Sequence, residues 1–342
     1  MKYPKVYILI LNYNGWADTI ECLESVLKSD CPNYQVIIID NNSSDNSIEY
    51  IKAWAEENLD IWVSPDNILR RLSYPPVKKP LPYVYYSKEE AEKGGNPQLE
   101  AKNGYPLIII QVGDNLGYAR GNNIGIRYAL AKNDFEYVWI LNNDTVIEKN
   151  TLSTIINALI KDEFDRPAGS YIYQYFEPEK LQLYGGLRLH KYFILKPTFA
   201  KMNEDIDFIS GASLFLSKER INQLGLIDEA YFLNSEDMEY TYFYKENFKG
   251  TNKDIKPFLV AGKIWHKGAE SQNKNNFLHA YYFTRNILYT SLKLNKICLS
   301  LTFAYAVLRG LSYFISGNKN NAKGIFCGIV DFLNKKKGRY VG

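Results

Sequence analysis

Cysteine is scarce in this sequence and carries no pattern. Cys22, Cys31, Cys298 and Cys327 form no CxxC spacing and pair with no histidine. That argues against a disulfide framework or a structural zinc and makes a reducing compartment the default. An excess of one charge is also missing: 41 Lys and Arg stand against 38 Asp and Glu, a formal net charge of +3. This balance gives no support to a nucleic-acid partner. The apolar run Lys5–Leu11 does not read as a signal peptide, because it is short, lacks a small-residue cleavage site and leads straight into a polar turn. It reads as a buried first strand. No internal repeat and no GxGxxG fingerprint is found. Tyrosine, with 28 residues, is what the chain has in plenty. Codon bias is the simpler reading of that, although tyrosines also stack on sugar rings.

At 342 residues, 46% hydrophobic and 23% charged, the chain suits one large globular domain or two small ones. Val6–Leu11 and Val36–Ile39 are strands apolar on both faces. Between them Asp18-Thr19-Ile20-Glu21 reads as an N-cap with a capping box. Ile20, Leu23, Val26 and Leu27 then recur at helical spacing, and Ile48, Ile51 and Ala55 mark a second helix. Leu107–Val112 and Tyr137–Leu141 are further strands, with a helix from about Gly121 to Lys132. Asn150, Ser217 and Ser235 each read as a helix cap, the last two helices stopping at Gly225 and near Gly250. Phe258–Ala261 is strand-like. The class is α/β, a sheet flanked by helices, with ligands expected beyond the carboxyl ends of its parallel strands. Residues 64–104, rich in proline, break the rhythm and read as an inserted surface excursion, either a lid or binding loop or an insertion without a role.

The tail from 277 to 342 reads as helical and basic. Ile297–Ile315 is mostly apolar but contains Arg309, which makes it marginal as a membrane span. Lysines 293, 296, 319, 323 and 335–337 flank it. Two readings stand: a helix lying in an anionic membrane interface, or helices that pack on the catalytic domain.

Four constellations fall at strand ends or helix starts. Asn12-Tyr13-Asn14-Gly15 leaves the first strand, and Asp40-Asn41-Asn42-Ser43-Ser44-Asp45 leaves the second. Such groups can accept from a base N–H and bind ribose hydroxyls, but they also make ordinary turns. Gly113–Asn123 contains Asn115, Gly117, Arg120 and Asn122; its glycines allow close backbone approach, a helix start favours phosphate, and Arg120 can add a charge-assisted contact. Asn142-Asn143-Asp144 follows an apolar strand, where a carboxylate can hold Mg²⁺ or Mn²⁺ together with phosphate oxygens. Ser235-Glu236-Asp237 places acids at a helix N-terminus, which favours the ionised form that a general base requires. Of three histidines, only His266 sits in a Gly-bounded motif after a strand.

The order of these motifs resembles glycosyltransferase family 2 over roughly residues 5 to 290, with Ile209-Ser210-Gly211-Ala212, Glu236-Asp237 and Trp265-His266-Lys267-Gly268 completing the set. Tyr281-Tyr282-Phe283-Thr284-Arg285-Asn286 adds a likeness to the rhamnosyltransferase-type branch that builds bacterial surface polysaccharides. The resemblance implies a GT-A fold and an inverting, metal-assisted hexosyltransferase. Its catalytic domain would span 1–276, with a nucleotide-binding half at 1–145 and an acceptor half at 146–276, followed by the tail at 277–342. It implies Asp237 as catalytic base beside Glu236, and Asp144 as the main metal-ligand acid with His266 completing the shell. The first acid of that metal element is replaced here by Asn142. Asp40 would read a pyrimidine base; Asn12, Tyr13, Asn14, Asn42, Asn115, Gly117, Arg120, Asn122 and Asn143 would line the donor nucleotide. Ser210, Gly211, Ala212, Trp265 and Arg285 would lie by the donor sugar or acceptor. The implied partners are a dTDP- or UDP-sugar, with dTDP-rhamnose first, and a saccharide acceptor, for which a lipid-linked oligosaccharide fits the basic tail. The expected place is the cytoplasm or the cytoplasmic face of the cell membrane. The rival readings are a sugar nucleotidyltransferase, which calls for a Gly-rich basic loop after the first strand where Asn12–Gly15 stands, a non-catalytic carbohydrate-binding protein, and, more distantly, a dinucleotide oxidoreductase.

Overall fold

The computed structural model describes residues 3–102, 107–162, 165–183, 186–190, 193–199, 206–243, 257–268 and 276–342. The first half alternates as expected: β1 (Val6–Asn12), α1 (Trp16–Val26), β2 (Tyr34–Asp40) and α2 (Ser47–Ala55). Then come α3 (Arg70–Ser73), β3 (Tyr83–Ser87), α4 (Lys88–Glu92), α5 (Pro97–Lys102), β4 (Leu107–Gln111), α6 (Gly117–Lys132), β5 (Tyr137–Asn142), β6 (Thr145–Ile147) and α7 (Thr151–Lys161). The second half holds β7 (Ala168–Gln174), β8 (Leu181–Leu183), β9 (Gly186–His190), β10 (Phe193–Phe199), β11 (Phe208–Ile209), β12 (Ser213–Ser217), α8 (Lys218–Leu224), α9 (Glu236–Tyr242) and β13 (Phe258–His266). Three helices close the chain: α10 (Phe277–Leu294), α11 (Lys296–Ile315) and α12 (Lys319–Leu333).

One mixed sheet runs β3-β4-β2-β1-β5-β12-β7-β13-β6, with β8 on β7. Its first five strands are parallel, and β12 joins β5 antiparallel. Helices cover both faces, and the strand period of two divides the core between them. In β1, Val6, Ile8 and Ile10 face the layer of α1, α2 and α7, while Tyr7 and Leu9 face that of α6 and α8. Pairing brings Asn12 beside Asp40, and Leu11 beside Asn142. The polar ends of three neighbouring strands thus meet at one edge of the sheet.

Residues 64–102 carry regular structure within the stretch read as an excursion. Tyr83–Ser87 form the edge strand β3, parallel to β4, with Val84 and Tyr86 buried. The surrounding prolines hide this alternation in the sequence. The buried Glu100 accepts from the hydroxyls of Tyr86 (2.8 Å) and Tyr128 (2.9 Å) and pairs with Lys132 (2.7 Å). The segment is also clamped by Glu24, which accepts from Trp54 Nε1 (2.8 Å) and the Val77 amide (2.6 Å) and pairs with the buried Lys79 (3.1 Å).

Several boundaries differ from the sequence reading. α1 begins at Trp16 after Gly15, so Asp18 lies in its first turn and makes no capping box; its carboxylate is instead held by Lys267 at 2.6 Å. Asn150 precedes α7 without a capping bond, and Ser217 caps α8 by accepting from the Arg220 amide. The strand at Phe258 runs on to His266. The expected helix end near Gly250 lies outside the described residues. The tail is helical, with α10, α11 and α12 packed around Leu288, Ala306, Ile325 and Ile329. Gly324 and Gly328 let α12 press on the backbone of α10: a Cβ on either would come within 2.4 Å of the Phe277 carbonyl oxygen or 2.7 Å of that of Tyr281.

Candidate active site

The edge where β1, β2 and β5 end is built almost wholly of amides and hydroxyls. Asn12, fully buried, donates to Asp40 Oδ1 at 2.7 Å and to Ser43 Oγ at 3.0 Å, and accepts from Thr19 Oγ1 at 2.9 Å. Asp40, also buried, accepts from the Ser43 amide (3.0 Å) and from Gln111 Nε2 (3.3 Å). Asn143 donates to Thr19 Oγ1 at 3.0 Å. Asn14 and Asn42 adopt left-handed backbone, and Asn14 Oδ1 accepts from the Ser44 amide at 2.7 Å. These bonds fix two adjacent turns as one floor, on which Tyr13 and Asn42 are exposed. Asp40 acts in this arrangement as the tie between the turns.

The turn at Gly113–Leu116 is shorter than expected, because α6 starts at Gly117 and not near Gly121. Its start is set by side chains that local spacing does not reveal. Asn115 Oδ1 accepts from the Gly117 amide and Asn41 Oδ1 from the Leu116 amide, each at 3.0 Å. Gly117 has φ +79°, and a Cβ there would lie 2.2 Å from the Phe232 carbonyl oxygen, so only glycine fits. Arg120 and Asn122 are therefore helical. Arg120 faces Glu229 at 3.3 Å, and the buried Asn122 donates to the Tyr118 carbonyl at 3.0 Å with no partner for its own oxygen.

Asp144 and His266 meet beyond β5 and β13. His266 Nε2 lies 3.1 Å from Asp144 Oδ1 and 3.3 Å from Asn142 Nδ2, and Nδ1 lies 3.0 Å from Gln182 Oε1. An amide oxygen only accepts, so Nδ1 carries the proton. Nε2 and Oδ1 then confront each other as acceptors across a gap that a proton or a cation satisfies. Asp144 Oδ2 accepts from the Gly268 amide at 3.0 Å. Burial acts to raise the Asp144 carboxyl, but when a proton fills that gap on Nε2 the hydrogen bond and charge of His266, with the Gly268 amide, outweigh burial and hold the carboxyl below the usual carboxylate range. The donor set of a carboxylate oxygen and an imidazole, with the other imidazole nitrogen bonded behind it, fits a divalent cation completed by phosphate and water oxygens. Among the described residues no group of three or more His, Cys, Asp or Glu gathers for a metal, so a cation here would depend on its substrate.

The second acid pair is Glu236–Asp237, at the start of α9. Asp237 Oδ2 accepts from the Gly211 amide at 2.8 Å and Oδ1 from the Met238 amide at 2.7 Å. Glu236 is buried and its Oε2 has no partner. The helix start does not decide their ionisation: burial pushes Glu236 up to about 8, with the Asp237 charge adding to it, and burial also raises Asp237. The two backbone donors belong to Asp237, so it is the member that holds negative charge first, while Glu236 keeps its proton at neutral pH. Ser235 does not cap α9; it has left-handed backbone and a buried hydroxyl without a partner. Ser210, Gly211 and Ala212 form the turn between β11 and β12 beneath Asp237, and the Ala212 carbonyl accepts from the Asn142 amide at 3.2 Å.

Tyr118 links the two acid centres and was not singled out from the sequence. Its hydroxyl donates to the Gly211 carbonyl at 2.6 Å. Burial, then the charges of Glu236, Asp237 and Asp144, push the phenol well above its ordinary value, so all three carboxyls act on this one hydroxyl. Lys267 was likewise missed as a tie: it pairs with Asp18 and Glu21, each at 2.6 Å, and fastens the loop after β13 to α1. Trp265 points away from His266 into the core with Leu69, Leu72 and Val146, donating to the Pro178 carbonyl at 3.0 Å. Arg285 is fully buried on α10, bonded to Tyr281 and Asn286, in the layer behind the loop that carries the acid pair.

A family model described as glycosyl transferase family 2 matches residues 7–67 and 95–219, together more than half of the chain. The chain is 28% identical over 145 residues to the low-salt glycan biosynthesis hexosyltransferase Agl10 of Haloferax volcanii, covering 40% of this chain and 45% of that protein. It is 24% identical over 174 residues to the glycosyltransferase GlyG of Streptococcus pneumoniae, covering 51% and 41%. The chain thus spans less than half the length of each of these curated relatives. Among solved structures, the mannosyltransferase PcManGT of Pyrobaculum calidifontis in complex with GDP-Man and Mn²⁺ superposes with a TM-score of 0.52 at 11% identity, covering 98% of this chain and 89% of that one. The shared architecture is the GT-A arrangement of a mixed sheet flanked by helices.

Proposed function

The chain belongs to glycosyl transferase family 2, and from that premise we propose that it is an inverting, metal-assisted glycosyltransferase that moves a sugar from a nucleotide-sugar donor to a saccharide hydroxyl. The observation that carries this reading is that the 210–212 turn joins the two centres: the Gly211 amide holds Asp237 at 2.8 Å, and the Ala212 carbonyl accepts from the amide of Asn142, whose side chain lies 3.3 Å from His266 Nε2. One centre suits a diphosphate, and the other suits the removal of a proton.

Asp237 accepts the proton of the acceptor hydroxyl as that oxygen attacks the anomeric carbon and the bond to the diphosphate breaks. General-base help of this kind contributes about 10²–10⁴-fold. Asp144 and His266 would hold a divalent cation, which when bound would supply positive charge against the leaving diphosphate. The Gly211 amide and the Tyr118 hydroxyl keep Asp237 and the 210–212 turn in register. The floor of Asn12, Asp40 and Asn143 holds the nucleoside side of the cleft. The likeness of residues 281–286 to the rhamnosyltransferase-type branch supports dTDP-rhamnose as first donor, with UDP-sugars next, in the synthesis of a cell-envelope polysaccharide or glycan. We place the enzyme in the cytoplasm, with Mg²⁺ or Mn²⁺ as cofactor.

The test is release of nucleoside diphosphate by purified protein from a panel of dTDP-, UDP- and GDP-sugars, with and without Mn²⁺ or Mg²⁺, alongside calorimetric binding of the same donors. Metal-dependent release from one donor, lost in Asp237→Asn and Asp144→Ala, supports the proposal. Failure of every nucleotide sugar to bind overturns it.

A further inference from the structure

α11 carries apolar residues on two sides. The side it packs against α10 and α12 buries the small residues Cys298, Thr302, Ala306 and Gly310, flanked by the half-buried Leu299, Phe303 and Val307. The side it exposes carries large ones: Ile297 (59% exposed), Leu301 (45%), Leu308 (65%), Leu311 (46%), Phe314 (63%) and Ile315 (84%). Ile297, Leu301, Leu308, Leu311 and Ile315 follow at steps of four, seven, three and four, so these five lie along one stripe of a 20-residue helix about 30 Å long. Exposed contiguous apolar surface of this extent is a binding face.

Charge decides what covers it. Residues 277–342 contain ten Lys and Arg and one acid, Asp331, whereas residues 1–276 contain 31 basic and 37 acidic residues. The chain's balanced total therefore hides a strongly positive tail on a negative body. Lys296 and Lys319 bracket the stripe, and Lys335 and Lys337 lie exposed beyond Leu333, itself 60% exposed, at the end of α12. A second copy would oppose this face with the same positive charge. An anionic lipid surface offers the opposite charge and an apolar layer beneath it.

α11 is also long and apolar enough to cross a membrane, but its inner side is committed. Thr302 accepts from Ser291 of α10 at 2.9 Å, and Arg309 is held at mid-helix against the rings of Phe283 and Tyr313. Crossing would break this packing, whereas lying flat uses only the stripe already exposed.

We infer that α11 and the end of α12 form a docking face that seats the protein on an anionic membrane surface, with the α11 stripe in the headgroup–acyl boundary and the lysines around it on lipid phosphates. This inference does not depend on the transferase reading, and its test needs no sugar donor. The full chain is sedimented with phosphatidylcholine vesicles, with and without phosphatidylglycerol, at low and high salt. Binding is expected only to the phosphatidylglycerol vesicles, weakened by salt. It should fall about fivefold for each of Lys335→Ala and Lys337→Ala, and more than tenfold in the double variant Leu308→Glu, Leu311→Glu. Both leucines are exposed, so unchanged circular dichroism should accompany the loss. Equal binding to neutral vesicles would overturn the electrostatic assignment. Absence of vesicle binding would overturn the inference altogether; a dimer in sedimentation velocity that the double leucine variant dissolves would then assign the face to a second copy.

Discussion

Asn286 of α10 holds Asn234 in place: its side-chain amide donates to the Asn234 carbonyl at 3.0 Å and to that of Leu233 at 2.8 Å. Asn234 and Ser235 both have left-handed backbone, which costs non-glycine residues of order 1–3 kcal/mol each and persists only where the surroundings enforce it. Glu236 and Asp237 follow directly. The helical tail is thus part of the support of the Glu236–Asp237 pair.

Asn286→Ala should therefore lower kcat about 10–100-fold, because two carbonyls lose a donor at about 1–3 kcal/mol each and Asp237 loses its setting. Donor affinity should stay within about twofold, since the nucleotide floor lies on other strands. Steady-state kinetics with calorimetric donor binding checks the split; a loss confined to KM for the donor would refute it.

Asp237→Asn keeps the shape of the side chain and removes its basicity, so transfer should fall by about 10²–10⁴-fold with donor binding retained. Because burial raises the Asp237 carboxyl, wild-type kcat/KM should climb with pH above the ordinary carboxylate range of about 4 as the base ionises. A pH–rate profile already flat from about pH 4 upward would remove Asp237 from the role of base.

Glu236 makes an opposite statement about stability. Its folded pKa is raised from 4.5 to about 8, so the folded state binds a proton that the unfolded chain has released. Stability should therefore decline as pH rises from about 4.5 and level off above about 8. Glu236→Gln mimics the protonated form and should raise Tm relative to wild type at pH 8 but not at pH 4.5. Thermal melts at the two pH values decide it, and a pH-independent difference would mean that ionisation is not the cause.

Much of this site can be read in the chain because strands apolar on both faces stop abruptly at polar residues. Val6–Asn12, Tyr34–Asp40 and Tyr137–Asn142 end this way, and parallel pairing then aligns their ends. What local pattern does not convey is set by distant contacts. α6 starts early because Asn41 on another turn accepts from Leu116. Tyr118 gains its place through Gly211, far along the sequence. β3 is masked by prolines and recognised only through its pairing with β4. Trp265 and His266 are neighbours that a strand must point to opposite faces. That period of two would have separated them, had the strand at Phe258 been extended to His266.

Gly117→Ala tests the contact between α6 and the loop before the acid pair. The Tyr118 amide donates to the Phe232 carbonyl at 2.8 Å, and a methyl at Gly117 would collide with that same carbonyl. The φ of +79° adds strain for any side chain. A destabilisation of about 2–4 kcal/mol is expected from overpacking and strain together, read by urea denaturation. A variant as stable as wild type would show that α6 and the 232 loop are free to separate.

Gln182 offers a sharper test of the proposed metal site than its proposed ligands do, because removal of Asp144 or His266 alters charge and shape at once. Gln182 would touch no cation. It accepts from His266 Nδ1 at 3.0 Å, which turns the lone pair of Nε2 toward Asp144 Oδ1. Gln182→Leu keeps the bulk and removes the acceptor, so the imidazole loses its preferred tautomer and orientation. Outer partners of this kind typically contribute 10–100-fold in metal affinity. The Mn²⁺ concentration for half-maximal activity should rise by about that factor, with kcat at saturating Mn²⁺ nearly retained. Asp144→Ala, in contrast, should not recover at any Mn²⁺ concentration. If Gln182→Leu lowered kcat at saturation and left the Mn²⁺ requirement unchanged, His266 would be acting on the substrate directly and not through a cation.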